Sequence, residues 1–548
     1  MRYRLISVSL ALTCLATGTA RASVLPQAPH ALPSTDAKAA AAESASWIVG
    51  ARPGAQTAAL AREFGAREIS ARGSYEITRA RARTFAAALR DHGLYRFSEA
   101  DVRFSAAQVP PDPTPTPTPT PPPYDEFAAT DWRAYLLGTA LVPPPLTQAP
   151  LTAVIDSGVD TTHPDLAGVQ VIGNPAVTDL HGTAVASVIG GRQNGVGMVG
   201  VYPGAPIVAV GSGLLASEVT KAIAMANDAG ARVINMSLGG PTPSYAMFVE
   251  LAYAVSRGAL PVASAGNEFN TAVGGQKNPV EYPAAFPHVL SVAAIGPSGA
   301  SSSFSTANGA VDVAAPGESV LAAVPVAFDD DGTKDGYERL AGTSFASPIV
   351  AGTAAWLMAA RPNLSGAQVA DVLRYSATDT DKAGYDSNTG YGVVNLGKAL
   401  TQPDPAVDSA EVNDDIEWVN GKRFSKASAY LFKARSKSAS VAGLVDAWKD
   451  TADVFRIEVK GRGRVRIQLR TNSKSDPDLA VYSGKATTIY SKKRRLAVSA
   501  RGQGRTESVT IRNSSHKKER AYVAVLSPDS HAKLLDAPYV LKVTRLKQ

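Results

Sequence analysis

Three polar residues at widely separated positions have the chemistry of a hydrolytic serine site. Asp156 follows an apolar run in LTAVIDSG, His181 opens HGTAVASVIGG, and Ser344 lies in LAGTSFASPIVAG. A serine hydroxyl is a weak nucleophile until a nearby base takes its proton, and that base needs an acceptor that holds its tautomer. Each segment alone is weak evidence, because Asp-Ser-Gly is often a turn, His-Gly is often structural and Gly-Thr-Ser often caps a helix.

A fourth polar residue strengthens the combination. Asn267 follows an apolar run in PVASAGNE, and its side-chain amide can donate to the oxyanion that forms when Ser344 attacks a carbonyl. The backbone N–H of Ser344, at the start of a helical run, is the second donor. A lipase or esterase would carry Gly-x-Ser-x-Gly and the order Ser, Asp, His, whereas this chain has Gly-Thr-Ser-Phe-Ala and the order Asp, His, Ser. A non-catalytic binding protein is the other alternative.

The elements that must position these residues alternate between strands and helices from about residue 124 to residue 400. Helical segments separate short apolar runs that end in Gly, Ser or Asn: LTAVIDSG, PIVAVGS, ARVINMSLGG, ALPVASAGN and HVLSVAAIG. This pattern predicts an α/β fold with a parallel sheet covered by helices on both faces, whose sites form at the carboxyl ends of strands. The helical run after Ser344 contains Pro348, which we place in the first turn, where proline is tolerated.

The N-terminus has the features of an export signal. A positive start at Arg2 and Arg4 precedes an apolar run, and Ala-Arg-Ala at 20–22 predicts cleavage after Ala22. The only cysteine, Cys14, lies in that run, so we expect neither disulfides nor thiolate metal sites in the mature chain. A lipoprotein signal would need a smaller residue than Thr13 before this cysteine.

The next segments form a small module and a spacer. Residues 23–45 are rich in Ala, Ser and Pro, and residues 46–106 alternate strand and helix patterns within a module of about 60 residues, near the lower size limit for independent stability. The run VPPDPTPTPTPTPPP at 109–123 predicts an extended, semi-rigid linker. No later apolar stretch reaches transmembrane length in the sequence.

The C-terminal part is β-rich and basic. After a Pro/Asp-rich segment at 401–415, runs such as DVFRIEVKG, RVRIQLRT and RAYVAVLS alternate as strands do and predict a small antiparallel β-sandwich. Residues 411–548 carry 29 Lys and Arg against 14 Asp and Glu, whereas residues 111–410 carry 12 against 26. The runs SKKRR and HKKER would suit an anionic surface or a solvated face; aromatic residues between the charges are sparse, so we predict no nucleic-acid binding.

The four chemical segments together resemble the subtilisin-like serine proteases, or subtilases. The resemblance covers roughly residues 125–400 and implies Asp156 as the orienting carboxylate, His181 as general base, Ser344 as nucleophile and Asn267 as oxyanion donor. Two departures are visible: Phe345 stands where Met is usual, and only 24 residues separate the Asp and His positions. The short gap shortens a surface loop between the two positions, so we assign no calcium site to that region.

The resemblance also implies how a polypeptide substrate is held. INMSLGG, with Ser237, Leu238 and Gly239, resembles the segment whose backbone pairs with an extended peptide, and Ala265 and Gly266 of ASAG resemble the opposite pocket wall. VEYPAAFPHVLSVAA resembles the segment that places Glu281 at the bottom of the pocket for the residue before the cut bond. A carboxylate there favours Lys or Arg; alternatively, the loop shifts and Glu281 is solvated.

The flanking modules resemble parts of secreted bacterial proteases. Residues 46–106 resemble the subtilase propeptide, an inhibitor and folding chaperone, and their basic charge suits an acidic partner domain; a generic small α/β domain is the alternative. Residues from about 440 resemble prepeptidase C-terminal domains. The predicted organisation is a signal peptide at 1–22, a propeptide at 23–108, a linker at 109–123, a subtilisin-like catalytic domain at 124–402, a linker at 403–415 and a β-sandwich domain at 416–548.

From these features we expect a secreted, monomeric serine endopeptidase that is made as a self-processing zymogen and needs no cofactor for chemistry. The alternative is a catalytically inactive subtilase-like binding protein. The resemblance allows a structural calcium without assigning ligands, and we expect the acidic loop FDDDGTKDG at 328–336 to be solvated.

Overall fold

A computed structural model of the chain describes residues 44–106, 144–269, 278–405, 411–421, 427–472, 475–527 and 536–547, and the backbone of three short strands at 12–14, 272–273 and 276–277. The chain divides into two compact units, residues 29–405 and residues 406–548 together with 1–28. The predicted signal peptide beyond residues 12–14, and the Pro/Thr-rich linker, lie outside the described residues.

The larger unit is built on a seven-stranded sheet in which every pair of neighbours is parallel. From edge to edge its strands are Val313–Pro316, Leu290–Ile295, Leu260–Ser264, Val233–Met236, Thr152–Asp156, Ile207–Gly211 and Gln170–Gly173. The first five of these strands are buried at every position, because both faces of the sheet are covered. The predicted α/β class is therefore confirmed.

Helices and short hairpins complete this unit. The α-helices are His181–Gly190, Ala216–Asp228, Tyr245–Ser256, Thr343–Ala360, Gly366–Ser376 and Leu396–Thr401, with 3₁₀ turns at Leu146–Gln148 and Pro164–Leu166. Hairpins pair Val320–Ala323 with Tyr337–Leu340 and Ala272–Val273 with Gln276–Lys277. By length and hydropathy Thr343–Ala360 alone among the described helices could cross a membrane, but 94% of it is buried inside the fold, as in a core helix.

The N-terminal module belongs to the same unit. Its antiparallel sheet runs in the order Arg67–Ser70, Ser74–Thr78, Ser46–Ala51 and Tyr95–Ala100, with helices Ala55–Phe64 and Arg79–Asp91. Apolar residues of the sheet and of the second helix, including Val49, Phe85 and Leu89, form its core. A further strand, Ser105–Ala106, leaves this sheet and pairs with Leu238–Gly239.

The C-terminal unit contains two five-stranded sheets that share one apolar core. One sheet has the order Leu12–Cys14, Glu507–Asn513, Arg464–Thr471, Asp536–Leu546 and Ser438–Asp446; the other has Tyr430–Phe432, Ala452–Val459, Glu519–Leu526, Asp478–Ser483 and Arg495–Ser499. A short helix, Ile416–Val419, precedes them. Strand Arg464–Thr471 shows the alternation that predicts a sandwich, because Val465, Ile467 and Leu469 are buried while the residues between them are not.

Candidate functional site

Asp156 and His181 form a buried hydrogen-bonded pair at the carboxyl end of a strand inside the central sheet. Asp156 is the last residue of strand Thr152–Asp156, and its Oδ1 lies 2.8 Å from His181 Nδ1. Each of the two residues is 6% exposed. A carboxylate only accepts, so Nδ1 carries the proton and donates, which leaves the lone pair of the neutral ring on Nε2. This is the tautomer that a general base requires.

A second carboxylate fixes the start of the histidine helix. Asp179 Oδ1 accepts the His181 backbone N–H at 2.9 Å and the Ser157 hydroxyl at 2.6 Å. Burial by itself lowers the pKa of His181, but the charges of Asp156 and Asp179 raise it, and the net pKa lies above the usual 6.5 of histidine. Asp179 is not among the residues predicted from the sequence, although an acidic residue two positions before a helix start is a recognisable capping signal.

Ser344 lies in the first turn of helix Thr343–Ala360, whose N-cap is Gly342. Gly342 has φ of 145°, a conformation that favours glycine. The His181 ring lies beside Phe345, the residue after Ser344, with ring centroids 5.7 Å apart. His181 Nε2 is buried and has no hydrogen-bond partner among the described residues.

Ser344 Oγ lies 3.4 Å from the Ser237 carbonyl oxygen, and no hydrogen bond joins it to His181 Nε2. The structure thus brings the predicted base to the nucleophile helix and shows the Asp–His hydrogen bond but not the His–Ser one. Catalytic hydrogen bonds commonly tighten only when substrate is bound.

Contrary to the prediction from the sequence, Pro348 does not lie in the first turn of its helix. It is the sixth residue of the helix, inside the second turn rather than the first. A proline has no N–H, so the Ser344 carbonyl four residues earlier loses its helical partner. The Ser237 hydroxyl donates to this carbonyl at 2.8 Å. The carbonyl that lost its helical partner therefore forms a hydrogen bond that joins the helix of Ser344 to the predicted substrate-binding segment.

Two further residues that the sequence analysis missed support this bond. Asn235 Nδ2 donates to Ser237 Oγ at 3.0 Å, and Ser347 Oγ donates to Asn235 Oδ1 at 2.7 Å. All three side chains are fully buried. A polar Asn in the otherwise apolar strand Val233–Met236 was the available signal, because buried amides need partners.

Asn267, the predicted oxyanion donor, lies beside the start of the helix that contains Ser344. Its Oδ1 accepts from the Thr343 backbone N–H at 3.0 Å and from the Thr343 hydroxyl at 2.8 Å. This fixes the amide so that Nδ2 lies on the side of Gly342, 3.3 Å from the point where a Cβ would stand on that glycine. The Nδ2 donor and the helix N-terminus that contains Ser344 thus border the same space.

The end of the N-terminal module pairs with the predicted substrate strand. In an antiparallel register Ser105 lies opposite Gly239 and Ala106 opposite Leu238. On its other side this segment is held by a hydrogen bond of 2.6 Å from the Phe104 N–H to the Leu214 carbonyl. The module therefore places an extended backbone along the segment that would hold a substrate.

Two carboxylates of the module cap helices of the larger domain. Glu99 accepts from the backbone N–H groups of Tyr245 and Ala246 at 2.8 and 3.1 Å, and Asp101 accepts the Ser217 N–H at 2.9 Å. Burial raises the pKa of Glu99 to about 7, against the opposing effect of its hydrogen bonds.

An ion pair adds to the same interface. Arg72 of the module pairs with the buried Glu250 and also lies over the Tyr253 ring, 4.3 Å from its centroid. Burial raises the pKa of Glu250, and the charge of Arg72 opposes this shift. Docking of the module therefore buries two carboxyl groups with raised pKa, Glu99 and Glu250.

Glu281 is buried between the two predicted pocket walls. It is 6% exposed, so the alternative of a shifted loop with a solvated Glu281 is wrong. A Cβ on Gly239 would stand 3.0 Å from its Oε2, and a Cβ on Gly266 would stand 2.8 Å from its Cγ. Ala265, next to Gly266, is also buried. Burial, followed by the charge of Glu268, raises the pKa of Glu281 to about 7.

The C-terminal unit holds a group of oxygen ligands. Carboxylate oxygens of Glu411, Asp450 and Asp453 lie within 4.8 Å of one another. Asn413 is fully buried, and neither of its side-chain polar atoms has a hydrogen-bond partner among the described residues. Carboxylates and an amide oxygen are the donors that calcium prefers, so the residues present fit such an ion.

The acidic loop FDDDGTKDG differs from the expectation at one position. Asp329 is fully buried. Its Oδ2 accepts a hydrogen bond of 2.7 Å from the Gly336 N–H, which closes the loop. Asp330 and Asp331 are exposed, as expected. Within the described residues, the carboxylates of this loop do not form a group of three with ligand atoms close together.

Comparison with known proteins finds matches to one family. A sequence model of the subtilase family matches residues 147–392. The chain is 36% identical over 301 residues to fervidolysin of Fervidobacterium pennivorans (48% of this chain, 42% of that protein) and 39% identical over 259 residues to subtilisin E of Bacillus subtilis (44% and 64%). It is 38% identical to subtilisin of Bacillus pumilus and covers 88% of that protein.

A solved structure shows the same fold. The crystal structure of fervidolysin, described as a keratinolytic enzyme related to subtilisin, matches with a TM-score of 0.54 and 22% identity, covering 85% of this chain and 84% of that one. By sequence, the chain spans 42% of the length of fervidolysin and 64% of that of subtilisin E.

The buried carboxyl groups predict that the N-terminal module binds more weakly as pH rises. Glu99 has a pKa of about 7 when docked and an ordinary value of 4.5, so docking takes up a proton between these limits. Affinity should be highest below pH 4.5 and fall by about 300-fold in total as pH rises through 7, because the difference between a pKa of 4.5 and one of about 7 is worth about that factor. Calorimetric titration of residues 44–106 into the remainder of a Ser344→Ala chain, from pH 5 to pH 8, measures the change.

The matched control is Glu99→Gln, which should flatten most of this pH dependence. An affinity that stays constant across the pH range in the unsubstituted module would contradict the prediction.

Proposed function

Because the chain belongs to the subtilase family, we propose that it is a serine endopeptidase in which Ser344 attacks the peptide carbonyl. The observation that carries this proposal is the hydrogen bond of 2.8 Å between Asp156 and His181, which leaves Nε2 of a buried imidazole at the nucleophile helix. All four positions that the chemistry needs are filled, which disfavours the alternative of an inactive binding protein.

The proposed reaction follows from the positions of these groups. As the Ser344 Oγ–C bond forms, His181 Nε2 takes the hydroxyl proton, and Asp156 stabilises the resulting imidazolium. The negative charge on the former carbonyl oxygen is stabilised by hydrogen bonds from Asn267 Nδ2 and the Ser344 N–H. His181 then protonates the leaving amine, and a water molecule hydrolyses the acyl-enzyme by the same proton transfers in reverse roles.

We further propose that the chain is a secreted zymogen with the domain bounds given above and acts as a monomer. Strand Ser105–Ala106 lies on Leu238–Gly239 in the manner of a peptide inhibitor. A chain in this position occupies the backbone groups of Leu238–Gly239 with which a substrate would form hydrogen bonds. Loss of residues 23–108 would therefore open the site, and residues 1–22 would direct export.

Glu281 supports a preference for Lys or Arg before the cut bond. Its carboxylate is buried beside Gly239 and Gly266, and a cationic side chain that enters between them would meet a negative charge with few competing partners. A neutral side chain would leave that charge unpaired, or would require its protonation. The preference should therefore depend on the ionisation of Glu281.

A structural calcium ion is proposed for the C-terminal unit. Glu411, Asp450 and Asp453 would hold it, and Asn413 would complete the set. The ion would neutralise three carboxylates that otherwise repel one another and would take no part in hydrolysis.

Replacing the nucleophile should abolish both chemistry and processing. We expect Ser344→Ala to lose labelling by a fluorophosphonate probe and to retain its N-terminal module, whereas the unsubstituted chain is labelled and shortened. Mass spectrometry of the secreted proteins measures both results. Ser298→Ala, which changes an exposed serine, is the control and should behave like the unsubstituted chain. A Ser344→Ala protein that still matures in a purified system would refute the proposal.

Charge at Glu281 should set both preference and pH dependence. We expect kcat/KM for a lysine substrate, relative to its norleucine analogue, to rise as pH increases towards 7 and then level off, because the pKa of Glu281 is about 7. Glu281→Gln should remove the pH dependence and reduce the preference by about 100-fold, the size of one buried charged hydrogen bond of roughly 2–3 kcal/mol.

The control for that experiment is Glu268→Gln. Removing its charge lowers the pKa of Glu281, so the lysine preference should persist and its rise should shift to lower pH. An unchanged profile in Glu281→Gln would exclude this residue from specificity.

Calcium should stabilise the C-terminal unit. In the Ser344→Ala chain, calcium at about 100 times its dissociation constant should add about 2.7 kcal/mol to the stability of the unit that binds it. Calorimetry with calcium and with a chelator measures the shift in melting temperature. Asp450→Asn should abolish the shift, and Glu458→Gln, which alters an acidic residue outside the ligand group, should keep it. Equal melting curves with and without calcium would overturn this assignment.

A further inference from the structure

One outward sheet face of the C-terminal unit is strongly basic. In strand Arg464–Thr471 the core-facing residues alternate with Arg464, Arg466, Gln468 and Arg470. The neighbouring strands place Arg512 directly opposite Arg464, and Lys542 directly opposite Gln468. We call the five cations Arg464, Arg466, Arg470, Arg512 and Lys542 the basic face.

Among the described residues, no acidic side chain neutralises the basic face. None of its five members forms an ion pair among the described residues, whereas Lys518 in the same unit pairs with Glu458 at 2.8 Å. Two carboxylates of this sheet, the buried Asp446 and the half-buried Asp536, lie opposite each other on the last two strands. The charges are therefore accessible to an external anion: Arg466, Arg470, Arg512 and Lys542 are exposed.

A cross-strand pair of like charge within the basic face costs stability unless an anion binds. Arg464 and Arg512 lie directly opposite each other, an arrangement that destabilises a sheet. No ion pair offsets this repulsion among the described residues, so an anion bound at the exposed Arg512 would relieve it.

The chemistry of the neighbouring positions narrows the class of ligand. Ser440, Ser508, Thr510 and Thr544 stand at outward positions between or beside the cations. Side chains on one sheet face repeat about every 7 Å along a strand and about 4.8 Å between strands, so the face is a grid of cations and hydroxyls. A polymer with regularly spaced anionic and hydroxyl groups matches such a grid.

Other polyanions match less well. The outward positions of strands Glu507–Asn513, Arg464–Thr471 and Asp536–Leu546 carry no aromatic side chain on which nucleic-acid bases could stack. Val540 is their only residue among the exposed large hydrophobics of the described chain, too little for insertion into a membrane.

We propose that the basic face binds an anionic polysaccharide that carries carboxylate or sulfate groups. The bound polymer offsets the repulsion between Arg464 and Arg512 and supplies acceptors to the exposed guanidinium groups of Arg466, Arg470 and Arg512. Binding would hold the protein at surfaces coated with acidic glycan. This inference is independent of the proteolytic mechanism, so a failure of either proposal leaves the other intact.

The test uses the full chain with Ser344→Ala, so that self-cleavage does not interfere. Heparin represents sulfated glycans and polygalacturonate represents carboxylated ones, with binding measured by calorimetry from 50 to 500 mM NaCl. We expect salt-sensitive binding of at least one glycan. The triple variant Arg466→Ser, Arg470→Ser, Lys542→Thr should weaken it by about 100-fold, since each cation near an anionic surface contributes about a factor of five.

Two controls keep the result interpretable. Lys485→Ser, Lys492→Ser, Lys493→Ser removes the same charge from exposed positions elsewhere in the unit and should change affinity less than about threefold. Arg466→Lys, Arg470→Lys keeps the charge and should retain most of the binding, which separates loss of contact from loss of fold.

The proposal is overturned if neither glycan binds at 100 mM NaCl, or if both triple variants weaken binding equally. Tighter binding to oligothymidine or to phosphatidylglycerol vesicles than to either glycan would also overturn it.

Discussion

Parallel strands all end at one edge of a sheet, and this constraint places the chemistry of the larger unit. Asp156 ends one strand, Ser237 follows its neighbour, and Asn267 comes three residues after the next. Because neighbouring strands lie about 4.8 Å apart, the pairing of the strands is enough to bring three segments distant in sequence next to one another. The remaining participants, His181 and Ser344, each lie in the first turn of a helix that packs on this sheet.

The sheet alone does not fix the position of the proposed nucleophile, Ser344. Pro348 contributes to fixing it. A proline inside a helix normally leaves a carbonyl without a partner, which is unfavourable in a buried position. Here that carbonyl belongs to Ser344 itself, and the Ser237 hydroxyl satisfies it. Asn235 and Ser347 complete the network between the strand and the helix. The proposed nucleophile and the proposed substrate-binding strand therefore share one buried hydrogen-bond network, so displacement of either one disturbs the other.

The sequence predicted the α/β class because strand and helix patterns are local. Assignment of roles to Asp156, His181, Ser344 and Asn267 rested instead on the resemblance of four segments to a family. The supporting network could not be predicted in this way. Asn235 and Ser347 are 112 positions apart, and each is an ordinary polar residue in its own segment. The error over Pro348 is one of boundaries, because propensity does not show whether a helix starts at residue 343 or a few residues later.

The docking of the N-terminal module shows why net charge is a poor guide to an interface. A basic module beside an acidic domain suggests attraction between opposite charges, yet only Arg72 acts in this way among the contacts described above. Two acidic residues of the module, Glu99 and Asp101, instead accept hydrogen bonds at helix N-termini, where unpaired N–H groups and the helix dipole favour negative charge.

This arrangement gives the module a physical means of assisting folding. Helix Ala216–Asp228 has no side-chain cap from its own N-cap residue, Leu215, and Asp101 supplies the acceptor for the N–H of Ser217. Parallel sheets form slowly, since their contacts are distant in sequence. A template that caps two helices at once would lower the cost of forming them before the sheet is complete. The same module pairs Ser105–Ala106 with the proposed substrate strand, so the proposed assistance in folding and occlusion of the site would arise from one interface.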